Sequence, residues 1–322
     1  MDWVSITLNW YLYLFILGAV AFPFTKKIFH AFFDKGYPFA KTIAILVLSY
    51  VMFILGIYKI APFTQTTLII VLAVLVLGLL YLNRTHSLPA IKLNRQLFIL
   101  IVEELLFIGS LFFLTYIRGQ EPSIHGLEKF MDFGFMKSIL RSKFFPPLDM
   151  WYAGNNPINY YYFGHLTGAV LIKLSDIPAQ MGYNLILATI FAQSITLIFS
   201  LAGNIAYFFY KSLRHAVIAG IIGSFIVNLA GNLHTIYLFT SGYQPENPVP
   251  FWQILDKYNP TKYWYPNATR FIPFTIHEFP SYSYVVADLH GHVFDIPFVI
   301  LTIAVLFLMF IRNKHNINKP II

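Results

Sequence analysis

Three polar clusters carry the residue types that could do chemistry in this chain. They are Glu128-Lys-Phe-Met-Asp132, Asn159-Tyr-Tyr-Tyr-Phe-Gly-His165, and His277-Glu278 through Asp288-Leu-His290-Gly-His292. A carboxylate such as Asp132 can take the proton from a nucleophile as a bond forms, and Glu128 could share the role. Lys129, Arg141, Lys143 and Lys173 could meet a phosphate, Arg as a bidentate fork and Lys as a point charge. Trp151, Tyr160, Tyr161 and Tyr162 could stack on a sugar ring or line a lipid groove, and His165, His290 and His292 could face a phosphate. Glu278, Asp288 and His290 are ligand types for a divalent metal, which would offset the charge of a departing phosphate. The plainer alternatives stay open. Asp132 could cap the helix that follows it. The cations could snorkel, the aromatics could anchor at the membrane surface, and the last cluster could be a hydrogen-bonded anchor. No standard zinc spacing occurs.

The elements that must hold these clusters are membrane spans. The chain has 322 residues, 57% hydrophobic and 11% charged, with a mean hydropathy of +0.64. Soluble domains carry about 25% charged residues. Residues 42–58, 65–82 and 97–117 are apolar runs of transmembrane size, about 17–25 residues. Cysteine is absent, which excludes disulfides and thiol chemistry. The net charge of +8 does not point to nucleic acid, because the cations sit beside spans, where they set orientation. Residues 1–24 lack a basic leader and a small-residue cleavage site, and read as a retained span.

Spans are expected near 8–24, 42–60, 65–82, 97–117, 181–210, 215–240 and 296–311. The segment 159–175 is short and carries His165 and Lys173, so it reads as an interfacial or re-entrant helix. With it left uncounted, every short basic loop falls on one side. Those loops hold Lys26, Lys27, Lys35, Lys41, Arg84, Lys92, Arg95, Lys211, Arg214, Arg312, Lys314 and Lys319, against the single acid Asp34. By the positive-inside rule that side is cytoplasmic, and loops 118–180 and 241–295 face outward. The expected organisation is thus four N-terminal spans in 1–117, an outer loop in 118–180, two spans in 181–240, a second outer loop in 241–295, and a last span with its tail in 296–322. Within the first loop, Glu128–Ser142 has helical spacing, with Phe130, Phe133, Ile139 and Leu140 available as its apolar side. Pro146-Pro147 ends that helix. Glu103 and Glu104, two turns into a span, are costly there and unassigned. Asn267-Ala-Thr269 fits a short glycosylation pattern of little weight.

Several motifs then occur in order: Arg118-Gly-Gln-Glu-Pro-Ser-Ile-His-Gly-Leu-Glu-Lys-Phe-Met-Asp-Phe-Gly-Phe, Phe145-Pro-Pro-Leu-Asp-Met-Trp-Tyr-Ala-Gly, Ile158-Asn-Tyr-Tyr-Tyr-Phe-Gly-His, His277-Glu-Phe-Pro and Ala287-Asp-Leu-His. On these the chain resembles the YYY-domain family of uncharacterised prokaryotic polytopic membrane proteins. Its members are usually longer, so a short or truncated form is expected. In layout the chain is also similar to GT-C glycosyltransferases, which use lipid-linked sugars. Asp132, the helix behind it, Pro146-Pro147, Trp151, the 159–175 helix and a later outer-loop acid, Asp288, follow that order.

The expected fold is an all-α integral membrane protein of about seven transmembrane helices, with juxtamembrane or re-entrant helices in the first outer loop, and the resemblance implies a GT-C-like arrangement. It implies a glycosyltransferase in a prokaryotic plasma membrane. Such an enzyme would move a sugar from a polyprenyl phosphate at the outer face, with Asp132 as base. The rivals are a lipid or sugar transporter or flippase, and a non-catalytic assembly subunit. A transporter should carry polar residues through several spans and show two related halves. These spans read as mostly clean, and no repeat is evident.

Overall fold

The structure is a computed structural model. It describes residues 3–82, 95–231, 236, 238–241, 250–259, 261, 269–270, 272 and 274–317. The expected loop cations Arg84 and Lys92, the side chain of Lys314, Lys319, Asn267 and much of the second outer loop lie outside the described residues.

Among the described residues ten α-helices follow one another: α1 (Trp3–Ile28), α2 (Phe39–Ile57), α3 (Gln65–Leu82), α4 (Arg95–Gln120), α5 (Lys129–Arg141), α6 (Phe163–Ser175), α7 (Ala179–Tyr210), α8 (Leu213–Asn228), α9 (Pro280–Val286) and α10 (Gly291–Ile317). Among the described residues, strand-like pairing is limited to isolated bridges between Leu148 and Pro157 and between Thr240 and Leu255. Five helices, α1, α2, α4, α7 and α10, are long and apolar enough to cross a membrane. α3 and α8 are apolar but shorter. The expected span 215–240 therefore ends early. The 16 residues of α8 reach about 24 Å at 1.5 Å per residue, short of a hydrocarbon core of about 30 Å. Its end is set by Asn228, whose Nδ2 donates to Ser224 O (3.0 Å) and whose Oδ1 accepts from the Tyr284 hydroxyl (3.3 Å). Gly231 then turns the chain with φ +62°.

α7 is the axis of the bundle, packing against α4, α6, α8 and α10. Trp10 Nε1 donates to Thr189 Oγ1 at 2.8 Å and ties α1 to it through the core. α6 is inserted among α1, α2, α3, α5, α7 and α10. Leu166, Ala169 and Val170 have no exposure at all. This departs from an amphipathic helix lying half in lipid and half in water, because α6 has no wet face. Glycine makes the insertion possible. A Cβ on Gly164 would come within 2.7 Å of Phe294, and one on Gly168 within 2.7 Å of Ile186. The loop into α6 is pinned by Phe145, whose N–H reaches Gly56 O (3.2 Å), and by Phe63, whose N–H reaches Lys143 O (2.7 Å).

α5 forms where the spacing predicts, but its buried stripe is Lys129, Asp132, Phe135, Met136 and Ile139. Phe130, expected on the apolar side, is 57% exposed. The stripe keeps the i, i+3, i+7 period of an inward face, and a charged pair of residues occupies its first turn.

The spans are less clean than the sequence suggests. At the end of the bundle away from α5, Glu104 accepts from Tyr11 and Tyr37 hydroxyls (2.7 Å each) and pairs with Lys41 at 2.5 Å. Asp34 accepts from Gly36 N (2.8 Å), Asn204 Nδ2 (3.1 Å) and the Ser200 hydroxyl. Glu103 is buried nearby at 1% exposure. Glu104, Lys41 and Asp34 are satisfied in this way across α1, α2, α4 and α7, which is how charge is kept in an apolar bundle.

Candidate functional site

Asp132 is the centre of the polar cluster. It lies in the first turn of α5, where the positive end of the helix dipole favours a carboxylate. The cap residue of α5 is Glu128, so Asp132 does not serve as the N-cap. Its Oδ1 accepts from His165 Nε2 of α6 at 2.8 Å, and both side chains are essentially inaccessible. Burial alone would push the carboxyl up, but the hydrogen bond from His165 and the neighbouring His290 imidazole more than offset it, and it sits below the usual aspartate range.

The α9–α10 turn brings the third sequence cluster onto Asp132. Ala287 closes α9 in the left-handed conformation, φ +58°. The hydroxyl of Tyr183 on α7 then grips the turn twice, donating to Ala287 O (3.2 Å) and accepting from Leu289 N–H (3.1 Å). Asp288 follows, and burial together with the neighbouring Asp132 charge pushes its carboxyl up to about 6. His290 Nδ1 lies 3.0 Å from Glu128 Oε2 and 3.6 Å from Asp132 Oδ2. Both are within ion-pair reach. The Asp132 carboxylate beside it raises the imidazole above the ordinary His value, against an opposing effect of burial. His290 Nε2 lies 3.0 Å from the Tyr161 hydroxyl. With Nδ1 protonated toward the carboxylates, Nε2 is the acceptor in that contact.

Tyr161 rests on Tyr160, ring centroids 3.9 Å apart, and Tyr160 in turn lies beside Phe135. A Cβ at Gly291 would collide with the Tyr161 ring, so the approach of that ring to the turn needs glycine there. Tyr183→Phe is expected to strand a buried N–H and a carbonyl in this turn at a cost of about 1–3 kcal/mol. Thermal unfolding in detergent checks this, and an unchanged midpoint would mean the turn is held by other contacts.

The structure thus brings together Asp132, His165, Glu128, His290, Asp288 and Tyr161, from three separated stretches of chain. It places others elsewhere. Arg141 ends α5, nine residues after Asp132, about 14 Å along the helix axis. Trp151 is 69% exposed in the turn after α5. Tyr162 packs on Phe53. Lys173 donates to Leu140 O (2.7 Å) and Phe63 O (3.2 Å), a structural clamp on the end of α5. Lys129 stays close and is buried on the inward stripe of α5. Burial, then the Arg118 charge, pull it below the ordinary lysine value, partly offset by Asp288.

His292 Nε2 lies 3.2 Å from Glu278 Oε2 and 3.3 Å from Ser283 Oγ. The expected metal set is therefore split, with Glu278 on His292 and His290 on Glu128 and Asp132. Among the described residues no group of three His, Asp or Glu is arranged to hold a metal ion.

Asp132 itself is closed off, being 0% exposed, whereas the His290 side chain is 20% exposed and Glu128 62% exposed. A molecule arriving from solvent meets His290 before Asp132. Sequence spacing could not show that the turn after α9 folds over Asp132. Tyr183 is the residue sequence reasoning left out of the site, and nothing local in the sequence marks it.

No curated protein and no solved structure matches this chain. A family model described as "Uncharacterized membrane protein (DUF2298)" matches residues 47–320, which contain every residue of the site. The expected kinship with an uncharacterised membrane family therefore holds, and the chain belongs to the DUF2298 family of membrane proteins.

Proposed function

We propose that this protein is a membrane glycosyltransferase that uses a polyprenyl-phosphate-linked sugar, with His290 as the proton-accepting group and Asp132 positioning it. In that reaction the acceptor oxygen forms a bond to the sugar's anomeric carbon. The bond from that carbon to the phosphate oxygen breaks, and the acceptor's proton passes to His290 Nε2. Asp132 and Glu128 stabilise the imidazolium that results. The observation that carries the reading is the His290 contact set: carboxylates on Nδ1, a hydroxyl on Nε2, and an exposed edge. Tyr160 and Tyr161 supply a flat surface for a sugar beside it. In the same reading the chain spans a prokaryotic plasma membrane about seven times, α3 and α8 included, and the site faces outward. Charge asymmetry of the short loops supports that orientation.

The test is mass spectrometry of lipid-linked sugars in host membranes, comparing wild type, a deletion and His290→Gln. One polyprenyl-phosphate sugar accumulating equally in the deletion and in His290→Gln supports the transferase and its base together. Profiles matching wild type, with the variant present and folded, overturn it.

One observation favours a second reading, transport. The Asp34, Lys41, Glu103 and Glu104 cluster links four helices inside the bundle, where carboxyls default to ion or proton pathways. Glu104→Gln abolishing a function that His290→Gln leaves intact would favour it.

A further inference from the structure

The end of the bundle opposite the site holds a cavity of about 550 Å³, within the roughly 300–1,000 Å³ range of small-ligand pockets. Its lining includes His30 from the turn after α1, Lys211 from the α7–α8 turn and Arg312 late in α10. Phe32, Tyr207 and Asn204 add an apolar wall and a polar floor.

Three basic residues from three elements face one space. Among the described residues none of the three forms an ion pair with a carboxylate. Asn204 of the floor donates to Asp34, an acid that does not line the cavity, has no exposure and also accepts from Ser200. Lys211 is held in place by backbone and ring contacts. Its N–H returns to Tyr207 O at 2.9 Å, its φ is +50°, and its ammonium lies 4.8 Å from the Phe208 ring. Like charges gathered around a space repel unless an anion sits between them. An Arg with its planar fork, a Lys and a His are the set that recognises phosphate oxygens.

We infer that this cavity binds a phosphate-bearing anion, carried either by an anionic lipid headgroup or by a small soluble phosphate. The apolar wall of Phe32 and Tyr207 suits the first source, because an acyl or glycerol segment could run along it. Basic pockets between helices at a bundle end are where lipid headgroups are held. The site is independent of the proposed sugar transfer and lies at the far end of α7 and α10 from His290.

The experiment is native mass spectrometry of the full chain in neutral detergent, titrated with dioleoyl phosphatidylglycerol or dioleoyl phosphatidylcholine, with inorganic phosphate as competitor. Phosphatidylglycerol is expected to bind at least about tenfold more tightly, and Lys211→Gln/Arg312→Gln to remove that preference, with Lys211→Arg/Arg312→Lys retaining it. Displacement by millimolar inorganic phosphate identifies the soluble source, and resistance to it identifies the lipid. A Gln variant that keeps the preference, or a wild type that shows none for either phosphate probe, overturns the site. Should the double variant melt early, Arg312→Gln alone supplies the same comparison.

Discussion

His290→Gln is expected to lower sugar transfer by about 10²–10⁴-fold, the usual worth of a positioned proton acceptor. The expectation rests on where the imidazole's two nitrogens point. Nδ1 faces Glu128 and Asp132, and Nε2 faces the Tyr161 hydroxyl at the open edge. The pH profile separates this role from a merely structural one. His290 must be unprotonated to accept, and the Asp132 carboxylate raises its pKa above the ordinary value of 6.5. The rate should therefore rise with pH through a midpoint above that value. Asp132→Asn removes the largest raising influence, so the midpoint should move to lower pH. The plateau should fall as well, because the imidazolium formed during transfer loses its partner. If instead the rate falls as pH rises through that range, His290 serves as a cation that holds phosphate, and the proton goes elsewhere.

Much of this arrangement was readable from residue types. The spans α1, α2, α4, α7 and α10 announce themselves as apolar runs, and α5 announces itself by period. The three clusters at 128–132, 159–165 and 277–292 do meet. What the sequence could not carry was depth. Phe130 looked inward by hydrophobicity, yet the inward stripe of α5 is the one that includes Asp132, because α6 offers His165 to receive it. Hydrophobic pattern ranks residues by transfer cost, and a buried charge with a dedicated partner escapes that ranking. The same blindness hid the contacts among Tyr11, Tyr37, Lys41 and Glu104, whose members are 93 residues apart at most in chain position. Likewise α6 reads as a surface helix from its tyrosines, but those tyrosines precede the helix, and its own small residues let it sink into the bundle.

His165→Phe is expected to cost roughly 2–4 kcal/mol of stability and to remove activity as well, because it strips a fully buried carboxylate of its closest donor. The ring volume is nearly kept, so the apolar neighbours Phe135 and Phe294 lose little. What is lost is the 2.8 Å hydrogen bond to Asp132. In the wild type Asp132 lies below its ordinary value of 3.8. Its stabilising contribution is therefore complete above that value and fades as the pH falls through the folded pKa. In the variant, burial is no longer offset by His165, so the carboxyl rises and its charge becomes a liability at neutral pH. The deficit should be largest near neutrality and should shrink on acidification, as protonation relieves the uncompensated charge. Unfolding in detergent at several pH values reads this directly. A deficit that is the same at every pH would mean that His165 matters for its shape, and that Asp132 is held by the α9–α10 turn alone.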